Sequence, residues 1–210
     1  MNFEEIKNAM ADLEEDALKE AIDAVAAEGS ESAQLAVTAM QEGMQEIGSR
    51  FENGEYFVGD LIYAGEIMMD AMTTIKPLLG GKASSSVGKV VLCTVKDDLH
   101  DIGKNIVKAM MEASGIDVVD LGVDVPAEKI LETVKAEGIK VVALSGVLTL
   151  SLGSMKAVSD TFADAGMRDQ VKIIIGGAPV TEEACQAAGA DAWAHSPQRT
   201  VETCLGWLNA

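Results

Sequence analysis

The segment VVLCTVKDDLHDIG, residues 90–103, decides how the C-terminal part of this sequence folds. Residues 90–95 form an apolar run rich in β-branched side chains, which is typical of a strand buried on both faces. Polar residues 96–101 follow, and from residue 103 the apolar spacing becomes helical. A buried strand followed at once by a helix indicates a parallel sheet covered by helices.

The same alternation continues to the end of the chain. Further apolar runs predict four more strands, at residues 118–121, 141–144, 171–175 and, more weakly, 190–194. Helical patterns separate or follow the strands, at residues 103–114, 126–137, 152–166, 180–188 and 198–208. We therefore expect residues 89–210 to form an α/β domain with a five-stranded parallel sheet, flavodoxin-like or Rossmann-like. Ligands bind such sheets at the carboxyl ends of the strands.

The first 80 residues have a different pattern, in which apolar residues recur every three or four positions, as at Ile6 and Met10. Breaks at residues 27–31 and 52–55 divide this stretch into segments, and the last segment runs from about residue 57 to 79. This pattern predicts an all-α domain, a four-helix bundle, over residues 1–80. The Gly/Ser-rich stretch at residues 81–88 is expected to be a linker.

Composition disfavours several classes of function. The net charge of −18 argues against nucleic acid, because a phosphate backbone is bound by lysine and arginine. Residues 1–80 carry a net charge of −13, an acidic surface that can attract a basic partner protein. The sequence contains no run of eighteen apolar residues, which would predict a membrane span. Its charged first residues are unlike a secretory signal. Three widely separated cysteines are typical of reduced thiols in a cytoplasmic protein.

His100 is the candidate ligand in the segment after the first predicted strand. Asp98, two residues earlier, can accept an imidazole N–H and so raise the basicity of the ring, as metal-bound histidines require. No second histidine or cysteine lies nearby, which disfavours a structural zinc site. The residues alone leave two interpretations open. His100 is either an ordinary surface or core histidine, or the axial ligand of a metal already held by a macrocycle.

Three elements at the predicted strand ends resemble the signature of cobalamin-binding domains. DLHDIG (98–103) matches D-x-H-x-x-G, SGV (145–147) stands for Ser-x-Leu about forty residues later, and Gly176-Gly177 follow. A helical bundle before such a domain is the arrangement of methionine synthase and of corrinoid proteins. The chain is thus similar to the corrinoid protein of a three-component methyltransferase system, with an aryl methyl ether O-demethylase system favoured.

This resemblance implies roles for particular residues. His100 would bind the cobalt of cobalamin in the base-off/His-on state, Asp98 would hydrogen-bond His100, and Ser151 would continue this relay. Cofactor contacts at the strand ends would come from Asp101, Ile102, Gly103, Ser145, Val147, Thr149, Gly176 and Gly177. Apolar caps over the methyl group would come from the bundle residues Phe51, Val58 and Ile62.

The resemblance also implies a function. Cobalt would alternate between Co(I) and methyl-Co(III), carrying a methyl group from a donor-side methyltransferase to an acceptor-side methyltransferase that uses tetrahydrofolate or coenzyme M. A reductive activase would restore Co(I), and the chain alone would not be catalytic. A methylamine or methanol system is the alternative, as is a cobalamin-dependent sensor or regulator, which normally carries a basic DNA-binding domain. A phospho-acceptor receiver domain is disfavoured, because Ser145 stands where it needs an aspartate.

Overall fold

The computed structural model describes residues 3–82 and 86–210. One compact unit comprises the N-terminal helices together with Ala113–Gly115, and a second comprises Ser86–Glu112 and Ile116–Ala210. A 3₁₀ segment extends to Lys82 and the first strand begins at Gly88, so the predicted linker overlaps both elements. Its residues 83–85 lie outside the described part of the chain. No helix within the described ranges is long and apolar enough to cross a membrane.

Four α-helices form the N-terminal unit, and each of them contacts the other three. They are α1 (Phe3–Ala11), α2 (Glu15–Glu28), α3 (Ser30–Glu52) and α4 (Val58–Ile75). The periodic apolar residues that predicted the helices, such as Ile6, Met10 and Ile22, are buried between them. The amphipathic pattern therefore gives the expected helical packing.

Two boundaries in this unit differ from the sequence pattern. Leu13 lies between α1 and α2 with a left-handed φ of 59°, although its spacing continues the first apolar stripe. Helix α4 ends at Ile75, where the pattern suggested a helix to residue 79. Pro77 explains this end, because proline has no amide hydrogen for a further α-helical hydrogen bond. The chain continues as the 3₁₀ segment Lys76–Lys82.

The second unit contains the predicted five-stranded parallel sheet, which is confirmed. Its strands are β1 (Gly88–Val95), β2 (Ile116–Val125), β3 (Val141–Ser145), β4 (Lys172–Gly176) and β5 (Ala192–Ala194). The spatial order is β2-β1-β3-β4-β5. The winding direction reverses between β1 and β3, so the loops that follow these two strands border a crevice.

Helices follow each strand of the sheet close to the predicted positions. They are α5 (Ile102–Ala113), α6 (Ala127–Glu137), α7 (Ser151–Asp164), α8 (Glu182–Ala188) and α9 (Pro197–Leu208). Apolar strand residues such as Val91, Val142 and Ile175 form one continuous core with the helices packed on them. Three free cysteines, Cys93, Cys185 and Cys204, are buried in this unit.

Candidate functional site

Asp98 is the centre of a hydrogen-bond network at the carboxyl end of β1, and its side chain is fully buried. Its Oδ1 accepts the backbone N–H of His100 and lies 3.0 Å from the ring Nδ1 of His100. Its Oδ2 accepts the Ser151 hydroxyl at 2.6 Å and the backbone N–H groups of Val147 and Leu148 at 2.7 and 3.3 Å. One carboxylate thus joins the loop after β1 to the loop after β3 across the crevice.

The protonation of this network follows from its contacts. Burial by itself raises the pKa of the Asp98 carboxyl group, but the hydrogen bonds from Ser151, from the His100 and Val147 amides and from the His100 ring outweigh burial. Together they hold the pKa of Asp98 well below its usual range. Asp98 is therefore an anion at neutral pH and only accepts hydrogen bonds. Nδ1 of His100 must carry a hydrogen, which leaves the Nε2 lone pair of the neutral ring free for a ligand.

The surroundings of His100 suit a flat, largely apolar ligand. Its side chain is 53% exposed, although the carboxylate that holds it is buried. Exposed apolar side chains lie on the same two loops, with Leu99 at 68%, Ile102 at 69% and Leu150 at 80% exposure. Apolar side chains this exposed on adjoining loops are typical of a binding surface. They would contact the plane of a macrocycle whose metal meets Nε2 of His100.

A cavity of about 120 Å³ lies at the carboxyl ends of β1, β3, β4 and β5. Five of the residues singled out from the sequence line it: Gly103, Ser145, Val147, Gly176 and Gly177. Other lining residues were missed by the sequence analysis, among them Lys104, Val107, His195, Ser196 and Thr200. His195, Ser196 and Thr200 could have been identified from their position, because they follow the fifth strand at the same edge of the sheet. The cavity suits an elongated appendage of the ligand that enters between the strand ends.

Gly177 is required by the protein backbone itself. It has a φ of +126°, and a Cβ there would overlap the carbonyl oxygen of Gly146. A Cβ at Gly176 would lie 3.1 Å from the carbonyl oxygen of Ala194. The resemblance implied that both glycines contact the cofactor, which stays a prediction; in the structure, a side chain at either position would meet the backbone of a neighbouring loop or strand. Gly103 has open space at its Cβ position, which leaves the cavity uncrowded at the start of α5.

The other residues singled out from the sequence lie outside the cavity wall. Asp101 and Thr149 are exposed on the two loops, and Ile102 is exposed at the first position of α5. The Asp101 carboxylate accepts the side-chain amide of Asn105 at 3.2 Å. Three residues belong to the helical unit, namely Phe51, Val58 and Ile62. Val58 and Ile62 are exposed and Phe51 is half-buried. Contact of these three side chains with the cofactor stays a prediction.

A free imidazole nitrogen, an apolar surface around it and a neighbouring cavity fit a corrin ring with a nucleotide tail. The fold and the site therefore define a cobalamin-binding protein of the doubly wound α/β class.

Comparison with known proteins agrees with this class. A B12 binding domain family matches residues 88–202, and a second B12 binding domain family matches residues 3–76. The chain is 36% identical to trimethylamine corrinoid protein 1 of Methanosarcina acetivorans, over 93% of this chain and 91% of that protein. The chain therefore belongs to the corrinoid proteins of methyltransferase systems, and its cofactor is a corrinoid.

Solved structures show the same relationship. A cobalamin-binding protein from Desulfitobacterium hafniense is 46% identical, with a TM-score of 0.91 and coverage of 99% of this chain and 98% of that chain. A chain of the methanol:cobalamin methyltransferase complex from Methanosarcina barkeri is 26% identical, with a TM-score of 0.80 and coverage of 97% and 78%.

Proposed function

We propose that this chain carries a methyl group on a corrinoid bound in the base-off/His-on state, from a donor-side methyltransferase to an acceptor-side methyltransferase. The observation that supports this most directly is the free Nε2 of His100, whose tautomer is set by the buried carboxylate of Asp98. When bound, the corrinoid supplies a cobalt centre that accepts a methyl group and passes it on.

The residues of the site hold and tune the lower axial ligand. His100 offers Nε2 to the cobalt, while Asp98 keeps the hydrogen on Nδ1 and fixes the plane of the ring. Ser151 donates its hydroxyl hydrogen to the same carboxylate. This hydrogen bond draws negative charge away from the Asp98–His100 contact and so moderates the basicity of Nε2. The cavity beside Gly103 and Ser145 would receive the displaced nucleotide tail.

We further propose that the donor-side partner acts on a methylated amine. The names of relatives, trimethylamine and dimethylamine corrinoid proteins, support this class of donor, and the methanol complex supports methanol in a similar way. The aryl methyl ether favoured by the sequence resemblance stays a prediction. So do the acceptor, tetrahydrofolate or coenzyme M, and the reductive activase. The net charge of −13 on residues 1–80 would steer basic surfaces of such partners towards the helical unit.

The first test of the proposed function is cofactor binding. Apoprotein is incubated with hydroxocobalamin, freed of excess cofactor and reduced to the Co(II) state, and visible and EPR spectra are recorded. With protein in which histidine is labelled with 15N, we expect stoichiometric retention and an EPR signal split by one axial 15N nucleus, which distinguishes a histidine ligand from the nitrogen of the cofactor's own nucleotide tail. His100→Ala should lose that splitting, whereas His195→Gln, which changes the only other histidine but keeps a polar side chain in the cavity wall, should keep it. An unchanged nitrogen splitting in His100→Ala would contradict the assignment.

The donor class is tested separately with the loaded wild-type protein. Methyltransferases for trimethylamine, for methanol and for an aryl methyl ether are each mixed with the reduced holoprotein and their substrate. We expect methylation of the corrinoid, seen in the visible spectrum, with the methylamine enzyme. Methylation with only the aryl ether enzyme would contradict a methylamine donor and support the aryl methyl ether that the sequence resemblance favoured.

A further inference from the structure

The loop that carries His100 is held from the end of the neighbouring strand β2. Asp124, the next-to-last residue of β2, accepts the backbone N–H of Asp97 on its Oδ1 at 2.8 Å. The backbone N–H of Asp124 in turn donates to the carbonyl oxygen of Asp98 at 3.0 Å. One residue of β2 therefore contacts two consecutive residues of the loop, and the second of them is the aspartate that orients His100.

Both aspartates in this contact have an unusual backbone conformation. Asp97 has a φ of +67° and Asp124 a φ of +54°, in the left-handed region that few residues other than glycine, asparagine and aspartate adopt. Such conformations persist where the surroundings hold them in place. At Asp97 the hydrogen bond from its N–H to the Asp124 carboxylate supplies that restraint.

A buried threonine completes the connection. The Thr94 side chain is fully buried in β1, where its hydroxyl donates to the carbonyl oxygen of Asp98 and accepts the N–H of Asp124 at 2.9 Å. The Asp98 carbonyl thus receives hydrogen bonds from both β1 and β2. These hydrogen bonds hold the backbone of Asp98, from which the side chain that contacts His100 projects.

We infer that Asp124 is a positioning residue for the cobalt ligand: its carboxylate fixes the left-handed turn at Asp97 and thereby sets the direction in which His100 Nε2 points. The inference rests on the proposed function, because it concerns how the axial histidine of that site is presented. Asp124 itself touches neither His100 nor the cavity wall, so it acts through the loop backbone.

The ion pair at the same carboxylate is a lesser effect. Lys96 Nζ lies 2.7 Å from Asp124 Oδ1, but half of the lysine side chain is exposed. Exposed ion pairs contribute little, because solvent and salt screen them. The restraint that matters is the hydrogen bond to the Asp97 amide, which a neutral acceptor at position 124 can also provide.

Four variants separate these contributions. Asp124→Asn keeps an acceptor oxygen and loses the charge, whereas Asp124→Gly loses the acceptor yet tolerates the positive φ and keeps the backbone N–H. Lys96→Gln removes the ion pairs of Lys96 with Asp124 and with Asp97 and leaves the Asp124 carboxylate in place. Asp117→Asn is the matched control, because Asp117 is an exposed aspartate at the other end of β2.

The readout is the ratio of His-on to His-off protein in the Co(II) state, measured by the 15N splitting in the EPR spectrum of protein labelled with 15N-histidine. We expect Asp124→Gly to lower this ratio about tenfold or more, as for other outer partners of metal ligands. Asp124→Asn, Lys96→Gln and Asp117→Asn should stay close to the wild-type ratio. A wild-type ratio in Asp124→Gly, or an equal loss in Asp124→Asn, would overturn the inference.

The wild-type result and one further measurement keep the possible failures distinct. If the wild-type protein itself is His-off, the proposed function fails; a His-on wild type with a His-on Asp124→Gly variant removes only the role of Asp124. Should Asp124→Gly not fold, amide hydrogen exchange in the wild-type apoprotein gives an independent answer. We expect the Asp97 amide to be protected, and exchange at the rate of an unstructured peptide would refute the restraint.

Discussion

At the scale of single residues, the site depends on how the Asp98 carboxylate is surrounded. Its contact with His100 is foreseeable from the sequence, because the two residues are two positions apart after a strand. The hydrogen bond from the Val147 amide and the close approach of Gly177 to the Gly146 carbonyl are not foreseeable, since they depend on which strands lie side by side. The sequence therefore predicts the ligand and its nearest partner, whereas the restraints across the crevice require the structure.

Replacement of Asp98 by asparagine should destabilise the sheet unit. The amide offers one acceptor where the carboxylate offers two, so a buried donor from Ser151, Val147 or His100 loses its partner. We expect the free energy of unfolding in urea to fall by about 2 kcal/mol for Asp98→Asn. The exposed Asp101 gives a matched control, and Asp101→Asn should change it by less than about 0.5 kcal/mol. Equal effects of the two substitutions would refute the importance of burial.

The same carboxylate makes stability depend on pH. Because the pKa of Asp98 is lowered in the folded state, its ionised form stabilises the fold above the unfolded pKa of about 3.9. That stabilisation is lost as the pH falls below this value towards the folded pKa. The difference in unfolding free energy between wild type and Asp98→Asn should therefore be constant from pH 6 to 7 and shrink below pH 4. A difference that is unchanged at pH 3 would argue against an ionised Asp98.

Gly177 should tolerate no side chain. In Gly177→Ala the new methyl group would overlap the Gly146 carbonyl, and the backbone φ of +126° is unfavourable for alanine. The loops that carry residues 146 and 177 must therefore move apart, or the backbone must remain strained. We expect a loss of at least about 2 kcal/mol in urea unfolding. Gly206, exposed within helix α9 with open space at its Cβ, is the opposite case. Gly206→Ala should raise stability by up to about 1 kcal/mol.

At the scale of elements, apolar periodicity predicts most strands and helices because burial decides their pattern. Strand β2 is the exception, since the predicted run at residues 118–121 already contains Asp120 and the strand covers Ile116–Val125. Asp120 and Gly122 interrupt the pattern, yet both serve the fold. The Asp120 carboxylate accepts the Gly122 amide and receives Lys104 Nζ from helix α5 at 2.8 Å. A prediction based on hydrophobicity alone does not recognise polar strand residues of this kind.

The contributions of Lys104 in α5 and Asp120 in β2 to stability should be strongly coupled. The Lys104 side chain is only 3% exposed, so removal of its carboxylate partner leaves a buried charge. We expect Asp120→Leu to lower the unfolding free energy by about 3 kcal/mol, with the double variant Lys104→Met/Asp120→Leu recovering much of the loss. Urea unfolding of the two single variants and the double variant measures this coupling. Additive losses would show that the pair does not act as a unit.

At the scale of the whole molecule, the net charge of −18 is the dominant physical property. Like charges repel one another in the folded chain, and salt screens this repulsion over about 10 Å at 0.1 M ionic strength. The melting temperature should therefore rise by about 2–4 °C for each 1 kcal/mol of repulsion removed as NaCl increases from 10 to 300 mM. A scan in equal concentrations of glycine, a zwitterion with no net charge, serves as the control. A melting temperature that falls with NaCl would contradict this interpretation.

The three cysteines provide a chemical probe of local opening in the sheet unit. All of them lie in the sheet unit, and burial raises the pKa of the Cys93 and Cys204 thiols to about 12. A thiol that is both covered and protonated does not react with an alkylating or chromogenic reagent until its surroundings open. The rate of labelling therefore reports the opening of the sheet unit, while helices α1 to α4, which contain no cysteine, make no contribution to the signal.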